Sequence, residues 1–386
     1  MKYLYLDDEI DSSLRAYTRQ VAPEGGALSI EPAHPGAYND QIESAMGEEY
    51  DGLILDLRLD LATSADGTRA DYRAPTLAQE IRTRAAEDLL GESHRGRGEY
   101  PIALWSTDER LDQSYARDNT SHDLFDLLCV KEHLVSDSPD VPSEKKAPAV
   151  GRRLCSLVEG YRRIKALRTE IGPEEQFYRY LGFEAVPDFL DERLAQLVPF
   201  DSAPENRPAH EYARFIRREV LESAGPLLDR RTMAAQLGID AERSDDFDLL
   251  LERVFGEAVY TGVFHEGWPR WWAEPVQDLT EKLAGTELRA LAAPERVAIL
   301  HGATALEGLH PAEPLVEGDG NEFWVVCRAT DRGIDPRDGF VVDTGRRYPW
   351  QRDQYVSRYA VQQRLLTRRH LRLTITERER ADALFA

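Results

Sequence analysis

Asp51-Gly-Leu-Ile-Leu-Asp-Leu-Arg-Leu-Asp60 sets an apolar run, too short for a free-standing helix, ahead of a single carboxylate, Asp56. Leu53, Ile54 and Leu55 are continuous instead of alternating, the pattern of a parallel strand covered on both faces. In open α/β sheets ligands bind beyond the carboxyl ends of the strands, so Asp56 stands where a site is expected. A plainer alternative is an aspartate that starts a turn after a buried strand. The neighbouring strand ends separate the two.

Toward the amino terminus, Lys2-Tyr-Leu-Tyr-Leu-Asp-Asp-Glu9 is a short strand pattern ending in three consecutive acids, which repel one another unless a cation or solvent relieves them. Asp11 and Ser12 offer helix-starting chemistry, and Leu14, Tyr17 and Val21 share one helical face. Ser29, Ile30 and Glu31 form the next expected strand. Toward the carboxyl terminus, Tyr100-Pro-Ile-Ala-Leu-Trp-Ser-Thr107 is a strand ending in hydroxyls, and Phe125-Asp-Leu-Leu-Cys-Val-Lys131 one ending in a lysine. Alternation of strands with helical segments predicts an α/β domain with a doubly wound parallel sheet.

A parallel sheet brings Asp7, Asp8, Asp56, Ser106 with Thr107, and Lys131 to one edge, and their chemistry is complementary. Asp7, Asp8 and Asp56 supply oxygen ligands for a hard divalent cation such as Mg²⁺. With the charge balanced, Asp56 can act as a carboxylate nucleophile and accept a phosphoryl group as an acyl phosphate. Ser106 can donate a hydrogen bond to a phosphoryl oxygen, and the Lys131 ammonium adds a second positive charge.

Residues 1 to about 135 thus resemble the receiver domain of two-component response regulators. The resemblance rests on Tyr5-Leu-Asp-Asp-Glu9, Leu53-Ile-Leu-Asp-Leu-Arg-Leu59, Pro101-Ile-Ala-Leu-Trp-Ser106 and the strand ending at Lys131, in that order. It implies a five-stranded, flavodoxin-like α/β fold and Mg²⁺-dependent transfer of a phosphoryl group from a histidine kinase or other phosphodonor to Asp56. It also implies a switch in which the hydroxyl residue swings toward the phosphate. Three features differ from the family pattern. Residues 60–75 form a longer polar insertion that could make a lid, and residues 87–99, with Gly91, Gly96 and Gly98, lengthen the approach to the hydroxyl strand. Glu132 follows Lys131 where the family has proline, and Leu128 replaces the aromatic switch residue, so hydroxyl-to-aromatic coupling is not expected.

The remainder divides by composition. Residues 136–170 comprise a polar, proline-rich connection, Ser136 to Pro148, and a helix whose apolar stripe (Val150, Leu154, Leu157, Val158, Tyr161, Ile164, Leu167) packs within the chain or forms a homodimer seam. Residues 171–310 read as a mainly helical output region, and 311–386 as a small α+β part with a basic helical end. Arg231-Thr-Met-Ala-Ala-Gln-Leu-Gly-Ile-Asp240 resembles the start of a helix-turn-helix, but the acidic Ala241-Glu-Arg-Ser-Asp-Asp-Phe-Asp248 would repel phosphates. Trp268, Trp271 and Trp272 offer either an interaction hot spot or a core plug. Arg358, Arg368 and Arg369 belong to a basic run from Arg346 to Arg372 suited to docking an acidic partner, the chain's own acids or nucleic acid. Cys327 and His301 are a conceivable nucleophile pair, with a buried thiol as the commoner alternative.

Across 386 residues the net charge of -22 disfavours a general polyanion binder. Three scattered cysteines without a CxxC pair point to a reducing compartment with no disulfide frame, and no leader or membrane span is expected. The expectation is a cytoplasmic signalling protein in which phosphorylation of Asp56 controls a protein-interaction output. No enzymatic activity is expected beyond receiver phosphotransfer and autodephosphorylation. The alternatives are a DNA-binding transcriptional regulator and a receiver-controlled output enzyme.

Overall fold

Leu53, Ile54 and Leu55 are almost wholly buried, and the strand they form, β3 (Gly52–Asp56), is flanked by a parallel neighbour on each side. The computed structural model describes residues 1–47, 49–61, 70–90, 98–115, 121–138, 141–170, 173–191, 193–196, 207–345 and 347–385, with the backbone alone at 90, 113, 114, 170, 173–176, 195, 196 and 368. The chain forms two units. One comprises Met1–Ala185, Pro199–Arg218 and Gly262–Trp268, and the other Val186–Val198, Glu219–Thr261 and Pro269–Ala386.

In the first unit β1 (Lys2–Leu6), α1 (Ser12–Val21), β2 (Ser29–Ala33) and α2 (Tyr38–Ala45) precede β3. After it come α3 (Ala74–Leu90), β4 (Ile102–Ser106), α4 (Asp108–Arg110), β5 (Leu127–Val130), α5 (Lys131–Leu134) and α6 (Ala147–Glu170). The sheet order is β2-β1-β3-β4-β5 with all pairings parallel, the doubly wound, flavodoxin-like arrangement. From β1 the chain steps outward to β2 and returns on the other side as β3. The crevice at that reversal, beyond the strands' carboxyl ends, is where such sheets bind ligands. The register pairs Leu6 with Leu55, so Asp7 and Asp56 follow abreast, and it pairs Ser106 with Val130, the residue before Lys131.

Strand alternation assigns the two faces. Leu4, Leu6, Leu53, Leu55, Ile102 and Leu104 pack with Ile42 of α2 and Leu77, Ala78 and Ile81 of α3. The intervening Tyr3, Tyr5, Ile54 and Trp105 are buried as well. The Tyr3 hydroxyl donates to the Leu154 carbonyl of α6 at 2.8 Å, and the Tyr5 and Trp105 rings meet edge-on at 5.3 Å. Gly52 makes room for Tyr3, since a Cβ there would lie 2.3 Å from that ring. Leu154, Leu157, Val158, Tyr161 and Ile164 are buried, so the α6 stripe is covered within its own chain. A buried ionic network secures β5: Asp126 accepts from Arg82 at 2.7 Å, the Tyr161 hydroxyl at 2.8 Å and the Ile102 N–H at 2.8 Å.

The second unit has a helical core built from Arg230–Leu237, Phe247–Phe255, Ala273–Ala284 and Ala293–Thr304. Three small antiparallel pairs accompany it: Leu227–Leu228 with Trp271–Trp272, Val325–Val326 with Gly333–Ile334, and Gly339–Val341 with Tyr355–Ser357. A helical middle and small carboxy-terminal sheets are therefore present. The strands expected at 321–330 and 339–344 are shorter than the apolar pattern suggested, because each pairs with a partner of only two or three residues. The basic end is less helical than expected. Tyr355–Ser357 is a strand, and left-handed backbone at Arg364 and His370 (φ 55° and 53°) limits the helices Arg358–Gln362 and Leu365–Arg368. Among the described residues no helix is long and apolar enough to cross a membrane.

Candidate metal centre

Asp7, Asp8 and Asp56 converge at the crevice, each offering a carboxylate oxygen within 4.8 Å of the others. Asp56 ends the buried strand β3 and is itself fully buried, while Asp7 is 1% exposed. Such a concentration of charge needs partners, and the partners are specific. Lys131, at the end of β5, donates to Asp7 at 2.7 Å and to Asp56 at 2.8 Å. The remaining bonds to Asp7 come from the Tyr5 hydroxyl at 2.6 Å and the Glu9 N–H at 3.0 Å. The second oxygen of Asp56 accepts from the Arg58 N–H at 2.9 Å and from Arg110 at 3.3 Å. Burial works against the Lys131 charge, but Asp56 and Asp7 outweigh it and hold the ammonium above its ordinary range.

Asp8 is less well served. One of its oxygens is buried with no hydrogen-bond partner among the described residues, and the Arg110 guanidinium stays 3.9 Å away. Burial, then the charges of Asp56 and Asp7, push the Asp8 carboxyl up to about 6 against the opposing pull of Arg110. An orphaned carboxylate oxygen facing two other carboxylates suits an oxygen-seeking divalent cation.

Ser106 ends β4 fully buried, and among the described residues its hydroxyl also has no hydrogen-bond partner. Thr107 serves a structural purpose, its hydroxyl accepting from the Arg110 N–H at the start of α4. Leu128 is 48% exposed, and no aromatic ring occupies the position three before Lys131. The described end of the 60–75 insertion holds Asp60 between Arg58 at 2.7 Å and Arg73 at 3.5 Å. Residues 62–69, which include most of the expected lid, and 91–97 lie outside the described residues.

Arg110 is the site residue that the sequence did not disclose. It lies 54 positions from Asp56 and reaches it from the short helix α4, which starts just after β4. The Thr107 cap followed by Asp108-Glu-Arg110 is the one local sign that a short helix begins there.

The other expected contact residues fall elsewhere. Trp268 is buried in the first unit against Phe264, with the Arg153 guanidinium 5.2 Å from its ring. Trp271 and Trp272 are buried in the second, so none of the three indoles is exposed. Arg358 pairs with Asp338 at 3.0 Å and Asp319 at 3.6 Å, and Arg369 lies 3.9 Å from Asp331. The Arg368 side chain and Arg346 lie outside the described residues. In helix 230–237 every residue from Met233 to Leu237 is buried. Cys327 is fully buried and accepts from the Ser357 N–H at 3.2 Å, while His301 meets the Leu309 carbonyl at 2.9 Å.

No protein-family model matches the chain, and no curated protein matches it. The receiver-like fold and its acidic site therefore rest on topology, register and side-chain geometry.

Proposed function

We propose that the first unit is a phosphoacceptor, with Asp56 as the nucleophile, and that its phosphorylation controls a protein-interaction output in the rest of the chain. The observation that carries this reading is the Lys131 ammonium bridging Asp7 and Asp56 beside the Ser106 hydroxyl, which has no hydrogen-bond partner among the described residues. Asp7, Asp8 and Asp56 would hold Mg²⁺, which when bound offsets negative charge and draws phosphoryl oxygens to the site. An Asp56 oxygen attacks phosphorus in line, the bond from phosphorus to the donor atom breaks, and the donor leaves with the bonding electrons. The product is an acyl phosphate, hydrolysed later to free phosphate and the original carboxylate. Lys131 neutralises a phosphoryl oxygen, and Ser106 donates its hydroxyl to another.

The proposed phosphodonor is a histidine kinase or another phosphodonor such as a small acyl phosphate, and the proposed compartment is the cytoplasm. The output partner is a protein, with a second copy of this chain as one form. The test is incubation with acetyl phosphate and Mg²⁺, followed by intact-mass spectrometry. A phosphoryl adduct that needs Mg²⁺ and disappears in Asp56→Asn supports the proposal. No adduct, or one that persists in that variant, refutes it.

A further inference from the structure

Within the second unit lies a cleft of about 680 Å³, the size of a site for a nucleotide-scale ligand. Its lining is unusual for so acidic a chain. Arg289, Arg328 and Arg352 face it, and among the described residues none of these three has a carboxylate partner. The cleft's other charges are partly committed: Arg231 pairs with Asp331 at 2.8 Å, Arg347 with Asp353, and Asp229 caps the Thr232 N–H at 2.7 Å. Glu222 and Glu287 also contribute to the lining, so the arginine side carries the attraction.

The cationic wall has support from behind. Arg296 is fully buried, and its guanidinium donates to the carbonyls of Phe323 at 2.6 Å, Leu291 at 2.8 Å and Gln236 at 2.9 Å. It has no carboxylate partner among the described residues, and burial pushes it down to about 10 against the pull of Glu322 and Asp335, so it stays charged at neutral pH. Trp324 joins the two layers, with the Arg296 and Arg289 guanidiniums 5.8 and 5.4 Å from its ring centre. Stacking of this kind restrains the Arg289 plane before any ligand arrives. Burial, with repulsion from Arg289 added, lowers the Arg352 guanidinium from its ordinary range. Two arginines set together without an acid are relieved by a bound anion, and guanidinium groups match phosphate oxygens through paired N–H donors.

We infer that this cleft binds a nucleoside polyphosphate, its phosphates held by Arg289, Arg328 and Arg352 and its flat organic part against Trp324, Val326 and Tyr355. A nucleic-acid strand is the weaker fit, because a chain of net charge -22 repels an extended polyanion and the cleft has the volume of a single small ligand. This inference stands independently of phosphorylation at Asp56.

The test is isothermal titration calorimetry on the full chain in EDTA, which removes any contribution from the acidic centre, with ATP, pyrophosphate, adenosine and a short single-stranded RNA as probes. ATP is expected to bind most tightly, pyrophosphate less so and adenosine least. Arg352→Ala and Arg289→Ala should each weaken ATP about tenfold, the effect of losing one charge-assisted contact, with unchanged circular dichroism. Asp56→Asn should leave the affinity unchanged. Absence of ATP binding, affinity that survives both arginine substitutions, adenosine binding as well as ATP, or RNA binding more tightly than ATP would each overturn the inference.

Discussion

Lys131 holds together two carboxylates that would otherwise repel, and at 13% side-chain exposure its ion pairs are largely shielded from solvent. Removing one member of a buried ionic group leaves the others uncompensated. Lys131→Ala is therefore expected to lose about 3 kcal/mol in EDTA, with part of the loss recovered in Mg²⁺. Urea denaturation with and without the cation checks both statements. Arg110 is the opposite case. It is 32% exposed and sits against Asp56 and Asp8, so it would compete with a cation held by the same oxygens. Arg110→Ala should tighten Mg²⁺ binding about threefold, the scale of a solvent-screened ion pair, as measured by quenching of tryptophan fluorescence or calorimetry. Unchanged or weaker binding would show that the guanidinium does not compete. Asp7, Asp56, Ser106 and Lys131 were legible in the sequence because each stands at the end of an apolar run. Arg110 was not, because nothing in a linear pattern reports a contact made across 54 positions.

At the level of elements, the central strands were legible for a physical reason. Leu53 to Leu55 and Ile102 to Leu104 are apolar without interruption, as strands covered on both faces must be. The stripe of α6 announced a buried helix but not its seat, which is fixed by contacts such as Tyr3 to Leu154 across 151 positions. Gly151 permits that seating. A Cβ there would lie 2.4 Å from the Val21 carbonyl oxygen at the end of α1. Alanine is ordinarily the better helix former by about 1 kcal/mol, but the clash costs about 1–3 kcal/mol, so Gly151→Ala should lower the urea midpoint. A Cβ built at Gly302, within helix 293–304, would meet no atom of another element among the described residues within 4 Å. Gly302→Ala should move the midpoint the other way, and a pair of variants shifting in the same direction would refute the steric account. The two-residue pairings of the second unit had no such signature. Leu227–Leu228 and Trp271–Trp272 are too short for any period to show, and their partnership is set by the fold around them.

For the whole molecule, acid sensitivity has an identifiable source besides the carboxylates. Burial, with Arg82 and Arg214 adding repulsion, pushes the His210 imidazole down to about 2. An unfolded histidine titrates near about 6.5, so the unfolded chain takes up a proton that the folded chain refuses. The stabilisation is complete above that pH and is lost progressively below it, toward the folded value. The melting temperature should therefore fall between about pH 7.5 and 5.5, and less steeply in His210→Gln. Equal slopes would assign the effect to other groups.

The first unit is discontinuous in sequence, returning for residues 199–218 and 262–268 after two excursions into the second, 186–198 and 219–261. On the ribosome its sheet strands emerge early, but its last structural pieces arrive only when residue 268 has left the exit tunnel. Until then a nascent chain lacks part of this unit, so its folding is expected to finish only after residues 219–261 of the other unit have been made.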